Sequence, residues 1–284
     1  MRFFNTDGSE AEMCGNGVRC VGRYVAEKKG KDDVVIETMR RNIPIRRVGE
    51  VFPGVPTFDV AIGEPALDPA TLPMRWVGDR LVDAPIPELH PTLRFTALSI
   101  PNPHIVAVVD SFEPELLELA ERANAASSGD PWFAADPVRD IFPRGVNVSF
   151  VKILGRDAIF VLTYERGVGV TNSCGTAMSA SSFAACLLGH CDSGVPIQVY
   201  NKGGMVSCLV DGDDDAVARA ASPVHLIGNA TNVFTAPVSI PSIASPSESW
   251  TVGEKRWFEE ENRQYELFVR SVEERLDTRS FFHI

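Results

Sequence analysis

The chain has 284 residues, 44% of them hydrophobic, which is enough for two domains with separate buried cores. Its 27 basic and 38 acidic residues give a net charge of −11, which excludes the basic surface typical of nucleic-acid binding. No apolar run approaches the roughly 18 residues that span a bilayer, and the first residues lack the apolar core of a signal peptide. We therefore expect a cytoplasmic protein without a nucleic-acid or membrane partner.

The cysteines indicate thiol chemistry rather than structural crosslinks. Six cysteines are too few for a disulfide scaffold in a chain of this size, and none stands in a CxxC pair or near a histidine at zinc-ligand spacing. The sequence therefore predicts reduced thiols and no metal site.

In chain order, the first predicted helix begins at Cys14 and carries small and apolar residues until it ends at Gly30. A second helix of the same kind begins at Cys174 and ends at Gly189, and both helices open with a Cys-Gly pair. A strand follows each helix, over 34–38 in the first case and 197–200 in the second. The two segments are therefore predicted to be copies of one unit.

The match between the copies persists to a further strand that ends at Gly63 and at Gly228, so the duplication covers about 50 residues. Before Cys174 lie about 80 residues with further predicted strands, over 93–97, 146–150 and 159–163, whereas only 13 residues precede Cys14. If the halves are true repeats, roughly 65 to 70 residues of the first half are expected to be absent. The alternative is an asymmetric first domain with a short lead-in. The predicted division is 1–90, 91–236 and 237–284.

The last of these segments begins with a linker and continues as an accessory helix. Residues 237–249 are rich in Pro and Ser, and a charged helical pattern runs from about Glu254 to Leu276. An apolar stripe along this helix is expected to dock on the protein or on a second subunit. The stripe consists of Trp257, Tyr265, Phe268, Val269 and Val272.

The two Cys-Gly helix starts suggest an acid and base pair. Backbone N–H groups and the dipole at a helix N-terminus stabilise a thiolate, and they can also hold a substrate carboxylate. Inversion of a stereocentre requires a base on one face of the carbon and an acid on the other, which two thiols supply without a cofactor. Cys14 and Cys174 are the predicted pair, whereas the other four cysteines are expected to be small core residues.

Four segments, in order, resemble signatures of the diaminopimelate epimerase family. The similarity runs from residue 2 to about 235. The segments are Phe4–Glu10 continuing through Met13–Cys20, then Pro101–His104, then Val146–Val148, and finally Tyr164–Gly169 with Thr171 and Cys174–Thr176.

The resemblance implies an α/β (α+β) fold of two pseudo-symmetric domains, each a curled, mostly antiparallel sheet around a central helix. It also implies a cofactor-independent epimerase that converts LL-2,6-diaminopimelate to the meso isomer, in lysine and peptidoglycan-precursor biosynthesis, as a possible homodimer. Cys14 and Cys174 are then catalytic, and His104 and Glu165 assist them. The implied substrate-binding residues are Asn5, Gly15, Asn16, Asn102, Asn147, Arg166, Gly175 and Thr176, with Arg166 on the carboxylate of the non-reacting end.

Two features of the sequence differ from the family pattern. Ala177 stands where many relatives have glycine, and Val170 where a second glutamate is common, which suggests a divergent subfamily. The family region that precedes the first signature supplies an asparagine and a glutamine for which no counterpart can be assigned.

Three other functions are compatible with parts of this pattern. A proline racemase or hydroxyproline epimerase uses paired cysteines in the same fold, but Arg166 and the Asn-Pro-His segment favour a substrate with a polar far end. A redox or binding protein in which Cys14 and Cys174 form a switchable disulfide would explain the cysteines alone. The third alternative is a non-functional relative.

Overall fold

The computed structural model describes residues 1–4, 10–11, 14–39, 41–128, 136–239 and 250–276. The predicted substrate contact at Asn5 and most of the predicted linker lie outside these residues.

Runs of strands separated by helices follow one another along the described residues, as the predicted α/β (α+β) class requires. The strands are β1 (Phe3–Phe4), β2 (Glu10–Ala11), β3 (Asp33–Glu37), β4 (Asn42–Phe52), β5 (Val55–Gly63), β6 (Ala84–Ile86), β7 (His90–Ser99), β8 (Pro103–Val108), β9 (Asn147–Gly155), β10 (Ala158–Glu165), β11 (Gly169–Thr171), β12 (Pro196–Asn201), β13 (Gly204–Val210), β14 (Val224–Asn229), β15 (Phe234–Thr235), β16 (Val238–Ser239), β17 (Thr251–Val252) and β18 (Arg256–Trp257). The helices are α1 (Gly15–Lys29), α2 (Glu115–Ser128), α3 (Val138–Ile141), α4 (Gly175–Leu187), α5 (Asp214–Ala218) and α6 (Glu259–Arg275), with one 3-10 turn at Pro69–Thr71. The strands predicted within 93–97, 146–150 and 159–163 are confirmed in β7, β9 and β10.

The two Cys-Gly helices begin and end as the sequence predicts. Cys14 and Cys174 are the N-cap residues of α1 and α4, and both have the extended backbone conformation that precedes a helix. Gly30 ends α1 in the left-handed conformation, where its N–H donates to the carbonyl group of Glu27. Gly189, also left-handed, follows the last turn of α4. Both predicted helix ends are therefore confirmed.

One large sheet joins the two copies of the repeat. In the described residues its strand order is β3-β4-β5-β14-β13-β12-β10-β9-β8-β7-β6, and β11 pairs with β10. The last strands of the two copies, β5 and β14, pair with each other in antiparallel fashion, with Val60 opposite Leu226 and Ala61 opposite His225. Antiparallel pairing of equivalent strands places a pseudo-twofold axis between them. The helices α1 and α4, which precede these strands in each copy, are therefore brought into contact with each other.

The environments of α1 and α4 differ although their positions correspond. Helix α4 is buried from Gly175 to Cys186. It contacts β7 to β10 on one side of the sheet order and β12 to β14 on the other. Helix α1 is amphipathic, so it packs Val18 and Ala26 into the core and leaves Cys20 and Tyr24 exposed. A second core cluster lies around β6 to β10, α2 and α3.

The C-terminal helix begins later than predicted. Residues before Glu259 form β18, which pairs with β15, and the Trp257 ring lies 5.0 Å from the Phe234 ring. Trp257 therefore does not belong to the apolar stripe of the helix, because it lies in β18, where about half of the residue is exposed. Phe268 and Val272 are buried as predicted, and Glu261 forms an ion pair with Arg23 that fastens α6 to α1. Within the described residues, no helix combines the length and the hydropathy required to cross a bilayer.

Candidate active site

The N-termini of α1 and α4 meet at two glycines. A Cβ atom added to Gly175 would lie 3.5 Å from the Cα atom of Gly15 and 2.8 Å from the Cδ2 atom of Leu226. A Cβ at 2.8 Å would force the buried Leu226 side chain to shift, so glycine after the second cysteine lets the two helix starts and Leu226 pack together without displacement. This contact brings Cys14 and Cys174 to the wall of one cavity.

The cavity has a volume of about 500 Å³ and is lined mainly by residues that the sequence predicts. These are Cys14, Gly15, Asn16, Asn102, Glu165, Cys174, Gly175 and Thr176. Sequence reasoning missed four further lining residues, which are Arg2, Phe3, Phe4 and Ser173. Ser173 directly precedes the second cysteine and Phe4 opens the first signature, so their positions beside the motifs were the available signal.

The Cys14 thiol lies at an exposed helix start. Its Sγ atom accepts a hydrogen bond of 3.4 Å from the N–H of Gly17, one of the free donors of the first turn of α1. Such a donor stabilises a sulfur anion. The geometry therefore suits the role of a base.

The Cys174 thiol has a different environment. Only 9% of the residue is exposed, and burial together with the nearby negative charge of Glu165 raises the pKa of Cys174 to about 12. The Thr176 hydroxyl, 3.5 Å from Sγ, opposes this shift without reversing it. At this second helix start, desolvation of the sulfur outweighs the stabilisation that a helix N-terminus gives to a thiolate. At neutral pH this group is a neutral thiol, which is an acid.

His104 lies one layer behind the cavity wall. It is completely buried, and its Nε2 atom is 3.0 Å from the Oδ1 atom of Asn102, which does line the cavity. Burial, with a smaller contribution from Arg166, lowers the pKa of His104 to about 3, so the ring is neutral. A neutral ring beside an amide oxygen donates from Nε2, and Nδ1 has no partner among the described residues. His104 is thus placed to orient Asn102.

Asn147 holds two segments of the wall together. Its Nδ2 atom donates to the carbonyl group of Pro103 at 2.9 Å, and its Oδ1 atom accepts from the backbone N–H of Arg166 at 2.9 Å. Asn147 is buried, and neither it nor Arg166 is among the residues that line the cavity. Their predicted contacts with substrate remain predictions, while their observed contacts fix the segments that carry Asn102 and Glu165.

Comparison with known families identifies the chain. The family model described as diaminopimelate epimerase matches residues 1–50 and 96–226. The chain belongs to this family. It is 40% identical to the diaminopimelate epimerase of Clostridium acetobutylicum over 269 residues, which cover 94% of this chain and 75% of the relative. It is 38% identical to that of Enterococcus faecalis over 276 residues, covering 97% and 79%. The family and the isomerase class predicted from the motifs are confirmed.

Solved structures extend the likeness to the fold. A PhzF-family phenazine biosynthesis protein from Bacillus anthracis is similar with a TM-score of 0.53 at 15% identity, covering 90% of this chain and 79% of that one. A hydroxyproline epimerase from Agrobacterium vitis gives a TM-score of 0.52 at 17% identity, covering 79% and 65%. At these identities the likeness concerns the fold alone, and it confirms the predicted fold class.

Proposed function

We propose that this chain epimerises LL-2,6-diaminopimelate to the meso isomer with Cys14 and Cys174 as the two proton-transfer groups. The observation that carries the proposal is the meeting of two Cys-capped helix N-termini at one cavity. Family membership supports the substrate, and the pairing of β5 with β14 supports the two-sided geometry.

The different environments of the thiols support a division of roles. Cys14, as the thiolate, takes the α-proton, and the electron pair of the broken C–H bond passes into the carboxylate group. Cys174, as the neutral thiol, then gives its proton to the opposite face of the carbon, so that Cys14 ends protonated and Cys174 ionised. Reaction of the meso isomer follows the same path in reverse.

The helix starts supply the binding site for the reacting carboxylate. Backbone N–H groups in the first turns of α1 and α4, at Gly15, Asn16, Gly175 and Thr176, have no partner within their helices. They suit an anion whose charge increases in the transition state, and each such donor contributes about 3 kcal/mol in oxyanion sites. The Glu165 carboxylate suits the α-ammonium group, and the guanidinium of Arg2, which lines the cavity, suits the distal carboxylate beside the predicted contact of Arg166.

The proposal includes a cellular setting. All six cysteines are free thiols, and a reaction that needs two of them in the reduced state favours the cytoplasm. The net charge of −11 disfavours binding to nucleic acid. Assembly as a homodimer is a further part of the proposal, for which sedimentation of the purified chain is the test.

Exchange of the α-proton in deuterated water tests the proposal. The parent chain is incubated with LL-2,6-diaminopimelate beside Cys14→Ala and Cys174→Ala, and deuterium at the α-carbon is followed by NMR. Cys20→Ala and Cys186→Ala are matched controls, since Cys20 is an exposed cysteine of α1 and Cys186 a buried cysteine of α4. We expect inversion with exchange in the parent and controls, and loss of inversion in both site variants.

Other outcomes identify the alternatives. A parent that exchanges the α-proton of proline or hydroxyproline but not of diaminopimelate is a racemase of cyclic amino acids. A parent without exchange that forms a reversible Cys14–Cys174 disulfide, detected by mass with and without reductant, is a redox protein. Either result contradicts the proposed function.

A further inference from the structure

Arg19 is a buried cation that the proposed chemistry does not yet use. It lies on α1 shortly after Cys14 and is 6% exposed, as is Arg23 one turn further along the same helix. Arg23 is paired with Glu27 at 2.7 Å and with Glu261. No carboxylate among the described residues pairs with Arg19, although a buried charge normally requires such a partner. This contrast suggests that Arg19 has a role beyond packing.

The contacts of Arg19 lead to the cavity wall. Its Nη2 atom donates to the Oδ1 atom of Asn16 at 2.9 Å, and its Nε atom donates to the carbonyl group of Asn229 at 3.1 Å. The strand β14 leaves room for the guanidinium at Gly228, where an added Cβ would lie 3.2 Å from Cζ and 3.3 Å from Nε. The fold thus holds the guanidinium between α1 and β14 and directs one of its arms at Asn16.

We infer that Arg19 is a positioning residue that fixes the Asn16 side chain for the reacting carboxylate. A guanidinium only donates hydrogen bonds, so the Asn16 atom that faces it must be the oxygen. Both hydrogens of Nδ2 then remain for an acceptor in the cavity that Asn16 lines. The inference rests on the proposed function, because the acceptor is the substrate carboxylate.

Orientation of this amide affects the rate as well as binding. A donor that is held in place before the reaction stabilises the growing charge on the carboxylate without reorganisation. Without Arg19 the amide can rotate and present its oxygen to the carboxylate, which repels it. Arg19 therefore acts through Asn16, and its effect must disappear when Asn16 has no amide.

A double-mutant cycle of Arg19→Met and Asn16→Ala tests this dependence. We expect Arg19→Met to lower kcat/KM for epimerisation by about tenfold or more, with a loss in kcat as well as a rise in KM. In the Asn16→Ala background the same change should alter kcat/KM by less than about twofold. Arg19→Lys, which keeps a positive charge and N–H donors on one nitrogen, should recover part of the loss. Losses that multiply in the double variant overturn the inference.

Two further variants separate positioning from stability. Arg23→Met also removes a buried guanidinium from α1, so it should lower Tm while kcat/KM stays within about twofold of the parent. Gly228→Ala adds a Cβ 3.2 Å from the Cζ atom of Arg19 and 3.0 Å from Val206, neither of which lines the cavity, and should give an intermediate loss of kcat/KM. An equal loss of kcat/KM in Arg23→Met and Arg19→Met contradicts the inference.

An NMR measurement keeps this inference distinct from the proposed function. The side-chain amide signals of Asn16, assigned by their absence in Asn16→Ala, should shift in Arg19→Met and stay in place in Arg23→Met. If the parent shows no exchange, the proposed function fails and these signals still decide the role of Arg19. Asn16 signals that are unchanged in Arg19→Met overturn the positioning role.

Discussion

The two halves of the site follow one plan and differ in burial. Cys14 caps an amphipathic helix with one exposed face, whereas Cys174 caps a helix that is buried from Gly175 to Cys186. Both thiols have the same backbone position, yet the pKa of Cys174 rises to about 12 because its sulfur is desolvated and faces Glu165. The comparison shows that a helix N-terminus alone does not set the charge of a thiol. Burial decides whether the same motif gives an acid or a base.

The largest effect on activity is expected at the contact between the two helix starts, where Gly15 meets Gly175. Gly175→Ala places a Cβ 2.8 Å from the Cδ2 atom of the buried Leu226 side chain, which also packs against Gly15, so this side chain and the helix starts beside it must adjust. Since misplacement of reacting groups by about 1 Å costs about 100-fold in rate, we expect a loss of α-proton exchange of up to about 100-fold. Gly49→Ala is the matched control, because an added Cβ at Gly49 has no neighbour within 4 Å. Equal activity in Gly175→Ala and the parent would contradict the described contact.

His104, in the second half of the repeat, makes the stability of the fold depend on pH. Its pKa in the folded chain is about 3 and its ordinary value is 6.5, so the neutral ring contributes stability above pH 6.5. This contribution is lost as the pH falls from 6.5 towards 3, by about 2 kcal/mol at pH 5. Denaturant unfolding of His104→Gln should therefore show a smaller fall in stability between pH 7 and pH 5 than the parent.

His225 is the control for this pH dependence. It lies on the pairing of β5 with β14, and its hydrogen bond to Asp59 raises its pKa, so its contribution is present below pH 6.5 and is lost as the pH rises. His225→Gln should therefore not flatten the acid limb. If stability falls less between pH 7 and pH 5 in His225→Gln but not in His104→Gln, the assignment of the acid dependence to His104 is contradicted.

A smaller effect is expected from the negative charge of Glu165, which contributes to the difference between the two thiols. Glu165 raises the pKa of Cys174, so Glu165→Gln should lower it and increase the thiolate fraction. The rate of Cys174 modification by a small thiosulfonate reagent at pH 9 should rise by up to about tenfold. Labelling of the exposed Cys20 serves as the internal reference in both proteins. An unchanged Cys174 rate would leave burial as the sole cause of the difference.

Much of this arrangement follows from the sequence, and the exceptions have physical reasons. The repeat predicts two Cys-capped helices that end at glycine, because capping and left-handed glycine are local properties. The neutral state of Cys174 depends on how completely α4 is enclosed, which strands distant in the chain determine. The pairing of β5 with β14 and the strand position of Trp257 are equally non-local. The substrate contacts of Asn147 and Arg166 stay predictions, because a motif does not say which of its side chains reach a cavity.

Labelling of Cys14 and Cys174 as a function of pH tests the central difference most directly. The parent chain is treated briefly with methyl methanethiosulfonate between pH 6 and pH 10, and the label on each cysteine is measured by mass spectrometry. We expect the exposed Cys14 to be labelled and the buried Cys174 to remain unlabelled up to pH 10, since the pKa of Cys174 is about 12. Equal labelling of Cys14 and Cys174 at neutral pH would contradict the assignment of one base and one neutral acid.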